Sequence, residues 1–200
     1  MEDPKPNYML LDRFLVMMEI QNVPVTICMN KKDLGTEEEI QKFKDAYGGA
    51  GYEICCISAQ HGDGIAEIQQ ILKGKTTAVA GPSGVGKSTI TNHVQGAVSM
   101  ETGAISKKLG RGKHTTRHSQ LIPIDEDTYI MDTPGFSSLE FRNYTKEQIR
   151  DAFIEFKMYP CLYKDCMHTN ESECKVKIAV NENNILSTRY ENYLKFIERK

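Results

Sequence analysis

The nine residues GPSGVGKST, Gly81 to Thr89, fit the spacing GxxxxGK[ST]. Glycines so placed let consecutive backbone N–H groups turn inward on phosphate oxygens, a lysine adds a charge, and a hydroxyl can ligate magnesium. On this reading Gly81, Ser83, Gly84, Val85 and Gly86 form the cradle. Lys87 reaches the phosphates, Ser88 offers its hydroxyl to Mg2+, and Thr89 follows in the first turn of a helix. The pattern calls for a nucleoside triphosphate and does not select the base.

Base selection falls to NKKD, Asn30 to Asp33. The Asp33 carboxylate can accept from both the N1–H and the N2 amine of guanine, whereas adenine offers an acceptor and no amine at that edge. At roughly 1.5 to 3 kcal/mol per hydrogen bond to a charged group, the pair sets a discrimination of roughly 3 to 6 kcal/mol. Asn30 and Lys31 complete that loop, and SAQ, with Ser58 and Ala59, is a second base-contacting loop at the end of the next apolar run. DTPGF supplies Asp132 to hold magnesium through a water and Gly135 to offer its N–H to the terminal phosphate. In GRGKHTTR either Thr115 or Thr116 can close over the metal once that phosphate is present. The residue after DTPG is Phe136, where Ras-like enzymes carry a water-orienting glutamine, so another group must orient the attacking water. His114, beside the two threonines, is the candidate.

The order of these pieces is unusual. A Ras-like GTPase runs phosphate loop, switch threonine, DxxG, NKxD, SA; here the last two come first. The chain therefore resembles a GTPase cut between DxxG and NKxD and rejoined through its old ends, a change tolerated because termini often lie close together.

These loops need a frame. YMLLDRFLVMMEI (8–20) has apolar residues at helical spacing, VPVTICMN and GYEICCIS read as buried strands, and Thr36 with Glu39 has the spacing of a capping box. A helix is expected over 63–73, then the strand KTTAVAG and a helix from about Lys87, followed by a loop over 96–120. LIPI and TYIMD read as paired strands joined by the acidic turn DED. Strands alternating with helices imply an α/β, doubly wound, mostly parallel sheet whose ligand crevice lies at the carboxyl ends of its strands, where NKKD, SAQ, GPSGVGKST and DTPG fall. Residues 1–144 are expected to form this permuted P-loop GTPase domain and 145–200 a small zinc-binding helical domain. Because the DTPG loop leads directly into the second domain, nucleotide state is expected to reorient it.

The quoted stretches LLDRFLV, NKKDL, SAQHGDGI, GPSGVGKSTITN, GRGKHTTR, DTPGFSSLEF and STRYENYL resemble the RsgA family of circularly permuted GTPases over roughly 8–199. The resemblance implies hydrolysis of GTP to GDP, stimulated by the ribosome, late in maturation of the small ribosomal subunit; it also points to His114. The family ordinarily opens with an OB-fold RNA-binding domain. Only a handful of residues precede the first helix here, so a fragment or a reduced homologue is expected.

Cys161, Cys166, His168 and Cys174 give C-x4-C-x-H-x5-C, four soft or borderline ligands suited to a closed tetrahedral zinc site. The same four residues match the family's pattern. Zinc would staple a domain of about fifty residues that is otherwise hard to stabilise. Cys28, Cys55 and Cys56 lie in apolar stretches and are expected in strand cores, while His61, His93 and His118 are expected to be surface or packing residues.

Bulk composition limits the partners. With 40% hydrophobic residues and no apolar run near the roughly 18 residues of a span, no membrane role is expected. The start, MEDPKPNYML, lacks the regions of a secretory leader, so a cytoplasmic location is expected, and a monomer is expected besides. A net charge of -2 argues against a surface that binds nucleic acid all over, but KKLGRGKHTTR (107–117) holds five Lys or Arg and is a candidate ribosomal RNA contact. The rival reading, prompted by Phe136, is a nucleotide-dependent ribosome or RNA docking module with negligible turnover.

Overall fold

The computed structural model describes residues 6–102, 120–132, 141 and 143–198. His114, Thr115, Thr116, His118, Gly135, Phe136 and most of DTPGF lie outside the described residues, as does the basic run 107–117. The elements run α1 (Tyr8–Ile20), β1 (Thr26–Met29), α2 (Glu37–Gly49), β2 (Glu53–Cys56), α3 (Ile65–Leu72), β3 (Thr76–Val79), α4 (Lys87–Thr102), β4 (Gln120–Pro123), β5 (Tyr129–Asp132), α5 (Lys146–Asp151), α6 (Lys175–Asn181) and α7 (Ser187–Glu198). Short 3-10 turns at Lys32–Leu34, Ala59–His61 and Ile154–Met158 lie between them.

Local sequence accounts for the helix starts. Asn7 caps α1 by accepting from the Leu10 N–H at 3.0 Å. Thr36 and Glu39 form the expected capping box on α2, and Thr145 with Gln148 forms a second one on α5. α4 runs to Thr102, so it claims residues 96–102 from the loop expected over 96–120. Gly96 disfavours a helix by only about 1 kcal/mol, which neighbouring Ala97 and Met100 help offset by their helix propensity.

Strands β1 and β2 form a two-stranded sheet, and a second sheet has the order β3-β5-β4. β3 pairs parallel with β5, with Val79 opposite Asp132, and β5 pairs antiparallel with β4 through the Asp125–Thr128 turn. The parallel β3-β5 pair brings the end of the strand that feeds the phosphate loop level with the end of the strand that carries Asp132. An antiparallel strand needs only a short turn, which is why DED suffices between β4 and β5.

The chain folds as two compact units. One comprises the described residues of 28–35 and 55–137, and the other those of 5–27, 36–54 and 138–200. Helices α1 and α2 therefore group with the C-terminal region rather than with the phosphate loop. The core of the first unit is Cys55, Ile57, Ile65, Ile68, Leu72, Ile90, Val94 and Ile130. Gly64 closes this core: its φ is +83°, and a Cβ there would stand 2.5 Å from Ile57 Cγ2. Of the three cysteines expected in strand cores, Cys55 is buried, Cys56 is half-buried and Cys28 is exposed, because Cys28 falls between the inward Ile27 and Met29 of β1.

The second unit has its own core, with Val16 of α1 packed among Ile149, Phe153, Phe156, Val176, Tyr193, Phe196 and Ile197. The terminal helix α7, polar in sequence, buries one face through Arg189, Asn192, Tyr193, Phe196 and Ile197. At the centre of this unit lies an ionic cluster. Arg189 donates to both oxygens of Glu155 at 2.6 and 3.0 Å and to Asp12 Oδ1 at 2.5 Å. Asn192 and the Tyr47 hydroxyl complete the Asp12 carboxylate at 2.7 and 3.0 Å. All three charged side chains are at most 3% exposed. LLDRFLV and STRYENYL thus meet through Asp12, Arg189 and Asn192.

Candidate functional site

The first unit assembles the phosphate and base loops. Lys87 opens α4, and its Nζ donates to the carbonyls of Gly81 at 2.8 Å and Pro82 at 2.9 Å, so the ammonium is folded back over the loop. Ser88 and Thr89 lie in the first turn of α4, where helix N–H groups lack internal partners and favour an anion. Gly81, Gly84 and Gly86 all have positive φ. At Gly86 the reason is twofold: φ is +96°, and a Cβ would stand 2.2 Å from Asn30 Nδ2.

Asn30 explains that close approach. Its Nδ2 donates to the Val85 carbonyl at 2.9 Å, while its Oδ1 accepts from the N–H groups of Lys31 at 2.8 Å and Ala59 at 2.9 Å. One amide thus ties the phosphate loop, the NKKD loop and the SAQ loop together. Lys31 adopts a left-handed conformation, φ +63°, turning the chain so that Asp33 begins the next turn of backbone. Lys32 reaches across to Asp63 at 2.8 Å, adding a second link between the two base loops.

The Ser58 hydroxyl donates to Asp33 Oδ1, and this bond is the main reason that the Asp33 carboxyl lies below its usual range. Asp33 is therefore an anion with fixed orientation and can accept only. Ser58 itself is held by paired backbone bonds with Asp63, 3.0 and 3.1 Å. His61, expected to be a surface or packing residue, places Nδ1 2.9 Å from Ser58 Oγ and 3.9 Å from Asp33 Oδ2. Its only signal in the sequence is adjacency to SAQ. Asn30, Lys31, Asp33, Ser58, Ala59, the phosphate loop and Lys87 thus come together within one unit. Asp132 joins them through its backbone register opposite Val79.

The second unit carries the cysteine cluster. Cys161, Cys166 and Cys174 Sγ and His168 Nδ1 all lie within 4.8 Å of one another. Tetrahedral zinc with Zn–S of about 2.3 Å and Zn–N of about 2.0 Å requires S···S edges of about 3.8 Å and N···S edges of about 3.5 Å. The structure has S···S of 3.7 and 3.9 Å and N···S of 3.5, 3.4 and 3.3 Å. The four residues fit zinc.

The loop that presents them is braced. The Glu171 oxygens accept from the N–H groups of Met167 and Thr169, both at 2.7 Å. Tyr190 donates to the His168 carbonyl at 2.6 Å, and Tyr193 to the Met167 carbonyl. His168 has φ +57°, so this bracing maintains an uncommon backbone conformation. Burial pushes the His168 imidazole down, toward the neutral form a metal needs, and raises the Cys166 thiol to about 12. At Cys161 burial pushes the thiol up, but N–H groups of Val176 and Lys175 together with bonds from Cys166 and Cys174 hold it below its usual range.

Fold and loops together define a P-loop protein of the circularly permuted GTPase class, with a Cys3His cluster in its C-terminal region. The chain matches the RsgA GTPase family over residues 1–142 and belongs to that family. It is 55% identical over 192 residues to the small ribosomal subunit biogenesis GTPase RsgA of Agathobacter rectalis, covering 95% of this chain and 64% of that protein. It is 44% identical over 200 residues to the RsgA of Clostridium beijerinckii, covering 98% and 69%. Among solved structures it is similar to YjeQ from Thermotoga maritima, with TM-score 0.79, 36% identity and coverage of 98% of this chain and 66% of that one. YloQ, described as a circularly permuted GTPase, gives TM-score 0.74 and 32% identity, covering 98% and 63%. The chain thus spans about two thirds of the length of these relatives. Among the described residues no helix is long and apolar enough to cross a membrane.

Proposed function

We propose that the chain binds GTP and GDP and hydrolyses GTP, and that it works in maturation of the small ribosomal subunit. The observation that carries the reading is the Asn30 amide. By bonding to Val85, Lys31 and Ala59 it makes the phosphate cradle and the guanine-reading loops one linked structure. A single nucleotide then spans Lys87 at its phosphates and Asp33 at its base. The names of the relatives support the ribosomal role.

In this site Lys87 exchanges its bonds to Gly81 and Pro82 for phosphate oxygens, and the phosphate-loop N–H groups receive the remaining charge. Asp33, oriented by Ser58, accepts from the guanine edge. Ser88, with Asp132 and Thr115 or Thr116, would hold Mg2+, which when bound supplies charge neutralisation between the terminal phosphates. Gly135 offers an N–H to the terminal phosphate, and His114 orients the attacking water in place of the glutamine that Phe136 replaces. Cys161, Cys166, His168 and Cys174 hold zinc as a structural staple for 145–200, with 1–144 carrying the nucleotide chemistry. The basic run 107–117 contacts ribosomal RNA, and the protein acts as a monomer in the cytoplasm, where subunits mature.

Phosphate release from GTP, measured with and without purified small ribosomal subunits, tests this reading. Stimulated release from GTP but not ATP, reduced in His114→Ala, is expected. Binding without stimulated release would leave a nucleotide-dependent docking module instead.

A further inference from the structure

We propose that His61 is a positioning residue for guanine recognition, acting through Ser58 on Asp33; this rests on the guanine-nucleotide reading above. Ser58 Oγ has one hydrogen, and it is committed to Asp33 Oδ1, since an ionised carboxylate can only accept. The remaining contact of Ser58 Oγ, 2.9 Å to His61 Nδ1, must then have the hydroxyl as acceptor. His61 therefore carries its proton on Nδ1, and a directed chain runs from His61 Nδ1–H to Ser58 Oγ–H to the carboxylate. Donation into the hydroxyl polarises its O–H and strengthens the bond to Asp33, as linked hydrogen bonds do.

The backbone holds His61 in this place. Residues 59–62 form a loop closed at its base by the paired bonds between Ser58 and Asp63. Gly62 at φ +73° turns the chain, and the Lys32–Asp63 ion pair anchors the loop to NKKD. The His61 side chain is 61% exposed, so it packs against little, and among the described residues its directed contact is with the base-reading pair. That exposure separates a positioning role from a packing role: truncation leaves no cavity, so an effect on nucleotide choice is not a loss of core. Fixing Ser58 fixes the rotation of the Asp33 carboxylate about its terminal bond. Two-pronged recognition of N1–H and the 2-amine needs that rotation fixed, whereas one-pronged recognition of hypoxanthine tolerates more freedom.

The test compares GDP and IDP, which differ only in the 2-amine, by displacement of a fluorescent GDP from the chain and its variants. His61→Ala should weaken GDP roughly 3- to 10-fold, the worth of one partly exposed hydrogen bond, and IDP by less, so the preference for GDP narrows. His61→Asn, whose amide N–H can take the place of Nδ1–H, should restore it. In a Ser58→Ala background His61→Ala should change nothing further. Nitrogen-15 spectra of the His61 ring should show the proton on Nδ1. An unaltered GDP-to-IDP preference in His61→Ala, or a ring protonated on Nε2 alone, would overturn the proposal while leaving guanine binding intact. A wild-type chain that binds no GDP would overturn the underlying reading and this one with it.

Discussion

Replacing Arg189 by leucine should unfold the second unit far more readily than loss of packing alone explains. The guanidinium is 1% exposed and makes three hydrogen bonds to two carboxylates that are themselves at most 3% exposed. Leucine leaves Asp12 with Asn192 and Tyr47, and leaves Glu155 without its two bonds to the guanidinium. Breaking a buried ion pair by removing one partner costs about 3 to 5 kcal/mol, which in a unit of this size lowers the midpoint by roughly 12 to 40 °C. The loss should depend on pH. Burial raises the Asp12 carboxyl, and Arg189 is the strongest of the groups pulling it back down. Without Arg189 the folded state holds a proton that the unfolded chain releases at an ordinary carboxylate pH. Stability of the variant is then retained below that pH and lost as pH rises above it toward the raised folded value, so its deficit against wild type widens with rising pH. The chain has no tryptophan and nine tyrosines, so tyrosine fluorescence during thermal melts over a series of pH values reads the effect. Adding Asp12→Asn and Glu155→Gln to the variant should recover most of the loss, because no uncompensated charge remains. A deficit below about 1 kcal/mol, or one that ignores pH and the added neutral substitutions, would mean that losing Arg189 strands no buried charge.

Asn30→Ala removes three hydrogen bonds joining the loops, at roughly 0.5 to 1.5 kcal/mol each, so GDP affinity measured by fluorescence titration should fall roughly 10- to 1,000-fold. Gly86→Ala should weaken GDP in the same assay, since the new Cβ displaces Asn30 and the position has φ +96°. Cys174→Ser should abolish stoichiometric zinc in metal analysis of the purified chain, and a chelator should lower the melting temperature of the wild type but not of this variant.

The reactive loops are legible in sequence because their chemistry dictates their spelling. A phosphate cradle needs glycines at set intervals, and NKKD and a Cys3His cluster announce their ligands, so fold class, permutation and metal set follow from short stretches. The capping boxes are equally local: Thr36 with Glu39 and Thr145 with Gln148 share one spacing. What escapes is long-range. The grouping of α1 and α2 with the C-terminal unit depends on Asp12 finding Arg189, 177 positions away, and no local pattern records which buried charge meets which. Cys28 reads as core because the run around it is apolar, but alternation along β1 turns it outward. Beyond adjacency to SAQ, His61 carries no signal of the role proposed for it, because only the folded loop brings its ring to Ser58.

The guanine-nucleotide reading places Asp33 against the base of a nucleotide held by Lys87. Xanthine carries a carbonyl where guanine carries its 2-amine, and Asp33→Asn replaces an acceptor with a donor at the position that faces it. Dissociation constants for GDP and XDP, measured on wild type and Asp33→Asn, should reverse: wild type prefers GDP by roughly 100-fold or more, and the variant prefers XDP. A wild type indifferent to the two bases, or a variant whose GDP affinity is unchanged, would contradict it.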